Sequence, residues 1–300
     1  MATPRLFAIS DLHVAHPANW LIVEDLRGPF EQDWLIVAGD VAESVDDIQW
    51  TLQCLRDRFA KVIWTPGNHE LYTLPGEPLK LRGEARYRHL VELCRGLDVI
   101  TPEDPYPVWD DGEEQVVVAP LFLLYDYSFR DPGSSKQQAL ARAWRAALVC
   151  SDELVLHPDP YPTREAWCWA RVDLTRRRLA DIPGTQRTVL VSHFPLHRDA
   201  TRMLRRPEFA IWCGTELTED WHRRFRAVAV VHGHLHIPTS RWQDGVRVEE
   251  VSLGYPREWR RRGPNPNLLR RILPTTRRVG ADELPKPVNP GDSRSGAAGR

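Results

Sequence analysis

Two aspartates, one asparagine and a group of histidines stand in short motifs that suit metal-dependent chemistry. They are Asp11-Leu12-His13, Gly39-Asp40, Gly67-Asn68-His69-Glu70, His193 and Gly233-His234-Leu235-His236. Their donors are nitrogen and oxygen without thiolate, a hard-to-borderline set that suits Mn, Fe or Zn. The set suffices for two divalent ions. Asp40 can bridge, because one carboxylate offers an oxygen to each ion. Asp11, His13 and His236 would complete one position, and Asn68, His193 and His234 the other. Two carboxylates set against two divalent ions leave about +2 in a pocket otherwise lined by neutral ligands. Such a pocket attracts phosphate and acidifies a bridging water toward a pKa of ~7, which readies it to attack phosphorus. His69 adjoins a ligand without being needed as one. It can give a proton to the leaving oxygen or stabilise the transition state.

Each motif follows an apolar run of strand length: Arg5–Ser10, Leu35–Ala38, Val62–Trp64, Val189–Val191 and Ala229–Val231. In open α/β sheets, ligands bind at the edge just past the C-terminal ends of the strands. One Gly-Asp or one Gly-His-x-His would mean little. Partial motifs in series, each at a strand exit, are a coherent signal. A lone histidine is ordinarily a hydrogen-bonded structural residue, the reading taken for His16, His89, His157, His222 and His232. His197 lies close enough to His193 to face the pocket, but no ligand role is left for it.

Between the motifs the chain alternates strand and helix. Ser44-Val45-Asp46-Asp47 predicts a capped helix start, with Ile48, Leu52, Leu55 and Phe59 on one face. A shorter helix is expected around 18–26, and another near 84–95. This order implies an α/β fold with a largely parallel sheet covered on both faces. Residues 101–187 break the rhythm with prolines and two helical stretches, about 136–149 and 163–180. They read as an insertion beside the active edge, and 194–226 as a second one, rich in Trp, Arg and Phe. Asp244-Gly245 between two apolar runs predicts a hairpin. Gly254–Trp259 is expected to end the ordered part. Residues 1–280 are thus read as one domain, and 281–300 as a disordered tail.

The 300 residues are 42% hydrophobic with a net charge of −1, so no global field selects nucleic acid or a membrane. Arginines cluster locally at Arg176–Arg178, Arg205-Arg206, Arg223-Arg224 and between Arg257 and Arg278, forming either a solvated face or a surface for an anionic partner. Five widely spaced cysteines without CxxC fit reduced thiols. The first strand begins too early for a signal peptide, and no apolar run reaches spanning length. A soluble cytoplasmic protein is expected.

The motif series resembles the calcineurin-like metallophosphoesterase superfamily, which implies a four-layer α/β/β/α sandwich and a dinuclear metal centre. Further stretches are similar to the actinobacterial phosphopantetheinyl hydrolases: Asp33–Glu43, Arg58–Trp64, Phe122–Phe129, Tyr161–Cys168 and Val251–Trp259. That resemblance implies a phosphodiesterase that removes 4′-phosphopantetheine from the serine of holo acyl carrier proteins. Such carriers are acidic, which suits the arginine-rich segments. Tyr127, Arg257 and His197 are the candidate substrate contacts. Two alternatives stand beside this reading. One is a phosphoesterase for nucleotide, CoA-like or cyclic phosphodiesters; the other is a metal-binding scaffold without catalysis.

Overall fold

Short apolar runs flanked by Gly, Pro and Asp make strands of two to six residues, joined by helices whose apolar stripes cover them. The computed structural model describes residues 3–26, 30–76, 78–263 and 268–274. In chain order the first half runs β1 (Leu6–Ile9), α1 (Pro17–Glu24), β2 (Trp34–Val37), α2 (Val45–Arg56), β3 (Lys61–Trp64), α3 (Gly83–Gly96), β4 (Val99–Ile100), β5 (Val108–Asp110) and β6 (Gln115–Pro120). The helices α4 (Lys136–Arg145), α5 (Asp152–Val155) and α6 (Arg164–Ala180) follow. Then come β7 (Arg187–Val191), α7 (Trp221–Arg224), β8 (Ala227–His232), β9 (Thr239–Gln243), β10 (Val246–Glu250), α8 (Pro256–Arg262) and β11 (Arg270–Leu273). Between β7 and α7, short 3-10 turns at Arg198–Met203, Pro207–Trp212 and Glu216–Thr218 take the place of longer helices.

One sheet has the order β11-β1-β2-β3-β4 and the other β5-β6-β7-β8-β10-β9. The central pairs are parallel, while β11, β5 and β9 run antiparallel at the edges. Side chains alternate across each strand. Leu6, Ala8, Ile36 and Ile63 of the first sheet therefore meet Val116, Val118, Val189 and Val231 of the second in one buried layer. The opposite face of the first sheet (Phe7, Ile9, Leu35, Val37, Val62) packs against Ile48, Leu52, Leu55, Leu90 and Val91 from α2 and α3. Burial of each such side chain contributes about 1.5–3 kcal/mol. Helices thus lie outside a sheet-on-sheet core, the α/β/β/α sandwich that the resemblance implied.

The local signals act as read. Ser44 Oγ accepts from Asp47 N–H at 3.1 Å to cap α2. The β9–β10 hairpin turns on Asp244 and Gly245, both at positive φ (49° and 77°), as a tight two-residue turn requires. One expectation needs correction. The ordered chain continues past Trp259 into β11, where Ile272 and Leu273 are fully buried beside β1. The two arginines that begin β11 disguise it as part of a solvated basic run. The tail expected over 281–300 lies outside the described residues. Among the described residues, no helix is long and apolar enough to cross a membrane.

Candidate metal centre and active site

The parallel strands of both sheets end at one edge, and the loops there bring the expected ligands together in two clusters. Asp11, His13 and His236 form one, and Asp40, His193 and His234 the other. In the first, His236 Nε2 lies 3.0 Å from Asp11 Oδ1 and 3.2 Å from His13 Nε2. In the second, His193 Nε2 lies 3.3 Å from Asp40 Oδ2, 3.2 Å from His234 Nδ1 and 3.2 Å from Asn68 Oδ1. Asp40 stands between them, with Oδ2 also 3.9 Å from His13 Nε2 and 3.8 Å from His69 Nε2.

Tight turns create this convergence. Asp11, His13, Asp40, His234 and His236 all have positive φ, between 41° and 68°. L-residues enter that region rarely and at a cost, so its repetition at the strand exits marks a constrained site. Close backbone approach adds to it. A Cβ on Gly233 would fall 1.8 Å from Ser10 Oγ, and one on Gly67 would fall 2.1 Å from Asp40 Oδ1. Only glycine fits at either place.

Hydrogen bonds from outside the clusters fix which ring nitrogen faces inward. His193 Nδ1 donates to Ala38 O at 2.9 Å, and His236 Nδ1 to Glu258 Oε2 at 2.8 Å. Each leaves Nε2 facing the cluster, the usual way a protein orients a metal-binding imidazole. Asp11 is held by Ser252 Oγ at 2.6 Å and by His234 N–H at 3.1 Å. Glu70 is fully buried and accepts from the N–H groups of Asp40, Val41 and Gly67 at 2.9–3.0 Å. It thereby ties the second motif to the third. Burial, followed by the Asp40 charge, pushes its carboxyl up to about 7.

These residues fit divalent metal ions. Each cluster holds two imidazole nitrogens at 3.2 Å, a separation that lone pairs accept only with a proton or a cation between them. Protonation is divided accordingly. Burial works against charge on His236 and His193, yet the Asp11 and Asp40 carboxylates outweigh it and raise both to about 10. Burial and neighbouring histidines hold His13 and His234 down at about 3. Among the described residues, the buried His13 Nδ1 and His234 Nε2 have no hydrogen-bond partner.

His69 sits beside the clusters rather than within the two sets above. Its Nδ1 donates to Glu43 Oε1 at 2.6 Å and its ring packs on Tyr72 and His13. Burial opposes its protonation, but the Asp40 and Glu43 charges raise it to about 9.

The three candidate substrate contacts fare differently. Arg257 is exposed, with its guanidinium 5.3 Å from the Tyr255 ring, and that ring stacks on His13 at 4.4 Å. It belongs to the rim. Tyr127 is fully buried. Its hydroxyl donates to Glu153 at 2.8 Å and accepts from Arg164 at 3.1 Å, so it braces the first insertion and offers substrate no surface. His197 caps a 3-10 turn by accepting from Asp199 N–H at 3.1 Å, and its ring faces His222 at 6.2 Å. Glu43, Tyr255 and Glu258, which hold or cover the site, were not singled out in the sequence. Glu43 lies three residues after Asp40, and the other two share the Gly254–Trp259 motif, so only proximity to known motifs could have flagged them.

Residues 4–238 match the Calcineurin-like phosphoesterase family, and the chain belongs to it. It is 54% identical over 274 residues to the [acyl-carrier-protein] phosphodiesterase PptH of Mycobacterium tuberculosis, covering 91% of this chain and 84% of that one. The crystal structure of that phosphopantetheinyl hydrolase superposes with a TM-score of 0.88 at 54% identity, covering 92% of this chain and 98% of the other.

Proposed function

We propose that this protein is a dinuclear-metal phosphodiesterase that hydrolyses the serine–phosphopantetheine phosphodiester of holo acyl carrier proteins. The products are the apo carrier and 4′-phosphopantetheine. One observation carries the reading: two complete nitrogen–oxygen donor clusters share an edge in a family member 54% identical to an acyl-carrier-protein phosphodiesterase. Asp11, His13, Asp40 and His236 would hold one ion, and Asp40, Asn68, His193 and His234 the other. The all-N/O donor set favours Mn or Fe and accommodates Zn. Bound there, divalent ions supply the charge that draws in phosphate oxygens and acidifies water.

Hydrolysis adds water across the P–O bond: its oxygen joins phosphorus, and the departing serine oxygen needs a proton. His69, whose Nε2 lies 3.8 Å from Asp40 Oδ2, would donate it. Glu43 fixes the His69 ring through Nδ1, which leaves Nε2 free for the reaction. A cavity of about 520 Å³ is lined by Phe129, Ala210 and Ile211 together with Arg142, Arg198 and Arg202, which pair with Asp131 and Asp199. Phe209, which precedes Ala210 in the chain, stacks on the His234 ring at 5.7 Å. The apolar part of the cavity suits an uncharged pantetheine arm. A cytoplasmic location goes with this reading, since the carriers would have to be met there.

The test is the intact mass of holo carrier proteins incubated with the protein and Mn²⁺. Conversion to the apo mass, blocked by EDTA, is the expected result. Unchanged carriers beside metal-dependent cleavage of an aryl phosphodiester would keep the chemistry and assign it to small-molecule phosphodiesters.

A further inference from the structure

The carboxylate of Asp152 takes no part in the roles assigned above, yet it is fully buried. It stands on α5, within the first long insertion. Its Oδ1 accepts from Asn68 Nδ2 at 2.9 Å and from the Tyr72 hydroxyl at 2.6 Å. That hydroxyl in turn accepts from Asn68 Nδ2 at 3.0 Å. Two further contacts fasten the insertion here, and one braces it from within. Thr73 N–H donates to Val155 O at 3.0 Å, Tyr72 and Leu156 form an antiparallel bridge, and Arg164 Nη2 donates to the Asp152 carbonyl at 2.6 Å.

The consequence follows from the asymmetry of a carboxamide. Asn68 Oδ1 can ligate a cation, whereas its NH₂ end only donates. The two ends have nearly the same shape, so packing alone does not choose between them. An ionised carboxylate only accepts, and so Asp152 selects the NH₂ end. Oδ1 is thereby turned toward His193 Nε2, 3.2 Å away. A negative charge behind the amide also polarises Oδ1 and makes it the better ligand. We propose that Asp152 is a positioning residue that selects the ligating end of Asn68 and sets the metal affinity of the Asp40–Asn68–His193–His234 cluster. This rests on the two-ion reading above. It makes the insertion part of the metal centre, through one hydrogen bond, as well as a neighbour of it.

The experiment is Mn²⁺ binding by the full chain, with stoichiometry and stepwise affinities measured by calorimetry and by electron paramagnetic resonance. Asp152→Asn keeps the shape but offers Asn68 a partner that can satisfy either end. It is expected to weaken one of two Mn²⁺ sites by about 10–100-fold and leave the other unchanged. Asn68→Asp sets two carboxylates against each other and also weakens that site. Combining Asn68→Asp with Asp152→Asn restores a donor–acceptor pair and recovers binding relative to Asn68→Asp alone. The same Asp152 substitution thus acts with opposite sign in the two backgrounds, which a merely structural role does not produce. If Asp152→Asn alone fails to fold, the comparison of Asn68→Asp with the double variant still decides. Two wild-type Mn²⁺ affinities in Asp152→Asn, or a further loss in the double variant, would overturn the proposal. A wild-type protein that binds a single ion would overturn the two-ion reading and the proposal with it.

Discussion

The two clusters lie on either side of Asp40 and offer the same donor chemistry, but they live in different surroundings. The Asp11–His13–His236 cluster opens to the rim. His236 is 14% exposed, and Glu258, which orients it, is 30% exposed. The Asp40–His193–His234 cluster is enclosed. His193 is 0% and Asp40 3% exposed, and the outer supports are a backbone carbonyl and the Asn68–Asp152 pair. Solvent and chelators therefore reach the first cluster more easily. The contrast shows how one pair of sheets can build a more open cluster and a more enclosed one from nearly identical residues.

The largest effect that bears on this contrast is expected for Asp40→Ala. Removing the carboxylate between the clusters lowers affinity at both positions and reduces turnover to the chelated background. Full activity in this variant would sink the two-ion reading. His69→Ala is expected to lower turnover by about 10²–10⁴-fold while both ions remain bound. Metal loss in that variant, read by elemental analysis, would make His69 structural instead. Glu258→Gln should weaken metal affinity by about 10–100-fold at the rim position alone. Equal losses at both positions would erase the distinction drawn above.

The smallest effect is on the stability of the chelated protein. His193 and His236, raised to about 10, and His69, raised to about 9, bind more protons folded than unfolded above their ordinary value of 6.5. Their contribution is complete below pH 6.5 and drains as pH rises through 9–10. His13 and His234, held at about 3, act in the opposite sense: their contribution is complete above 6.5 and is lost as pH falls toward 3. The melting temperature of the chelated protein should therefore peak near pH 6.5 and fall by several degrees on either side. A flat profile would mean that the clusters hold their charges otherwise.

The parts of this molecule legible in the sequence were those with short-range grammar. Apolar runs ending in Asp, Asn or His disclosed both the parallel strands and the residues that gather at their exits. Ser44 and Asp244-Gly245 disclosed a cap and a turn. What stayed hidden depends on contacts made only after folding. Glu258 reaches His236 from 22 positions away, and Asp152 reaches Asn68 from 84 positions away. No local spacing announces either. β11 escaped notice because Arg270 and Arg271 mask the buried Ile272 and Leu273. Tyr127 misled for the converse reason: an aromatic motif beside an active edge looks the same whether it lines a pocket or braces a wall.

The left-handed turns at Asp11, His13, Asp40, His234 and His236 have an evolutionary corollary. At such positions a side chain costs about 1 kcal/mol or more that glycine would not. Five of them together approach the net stability of an ordinary domain, roughly 5–15 kcal/mol. A library of this chain selected only for survival at high temperature, with chelator present, would therefore gather glycines where the ligands now stand. At these strand exits durability and metal-dependent activity ask for different residues.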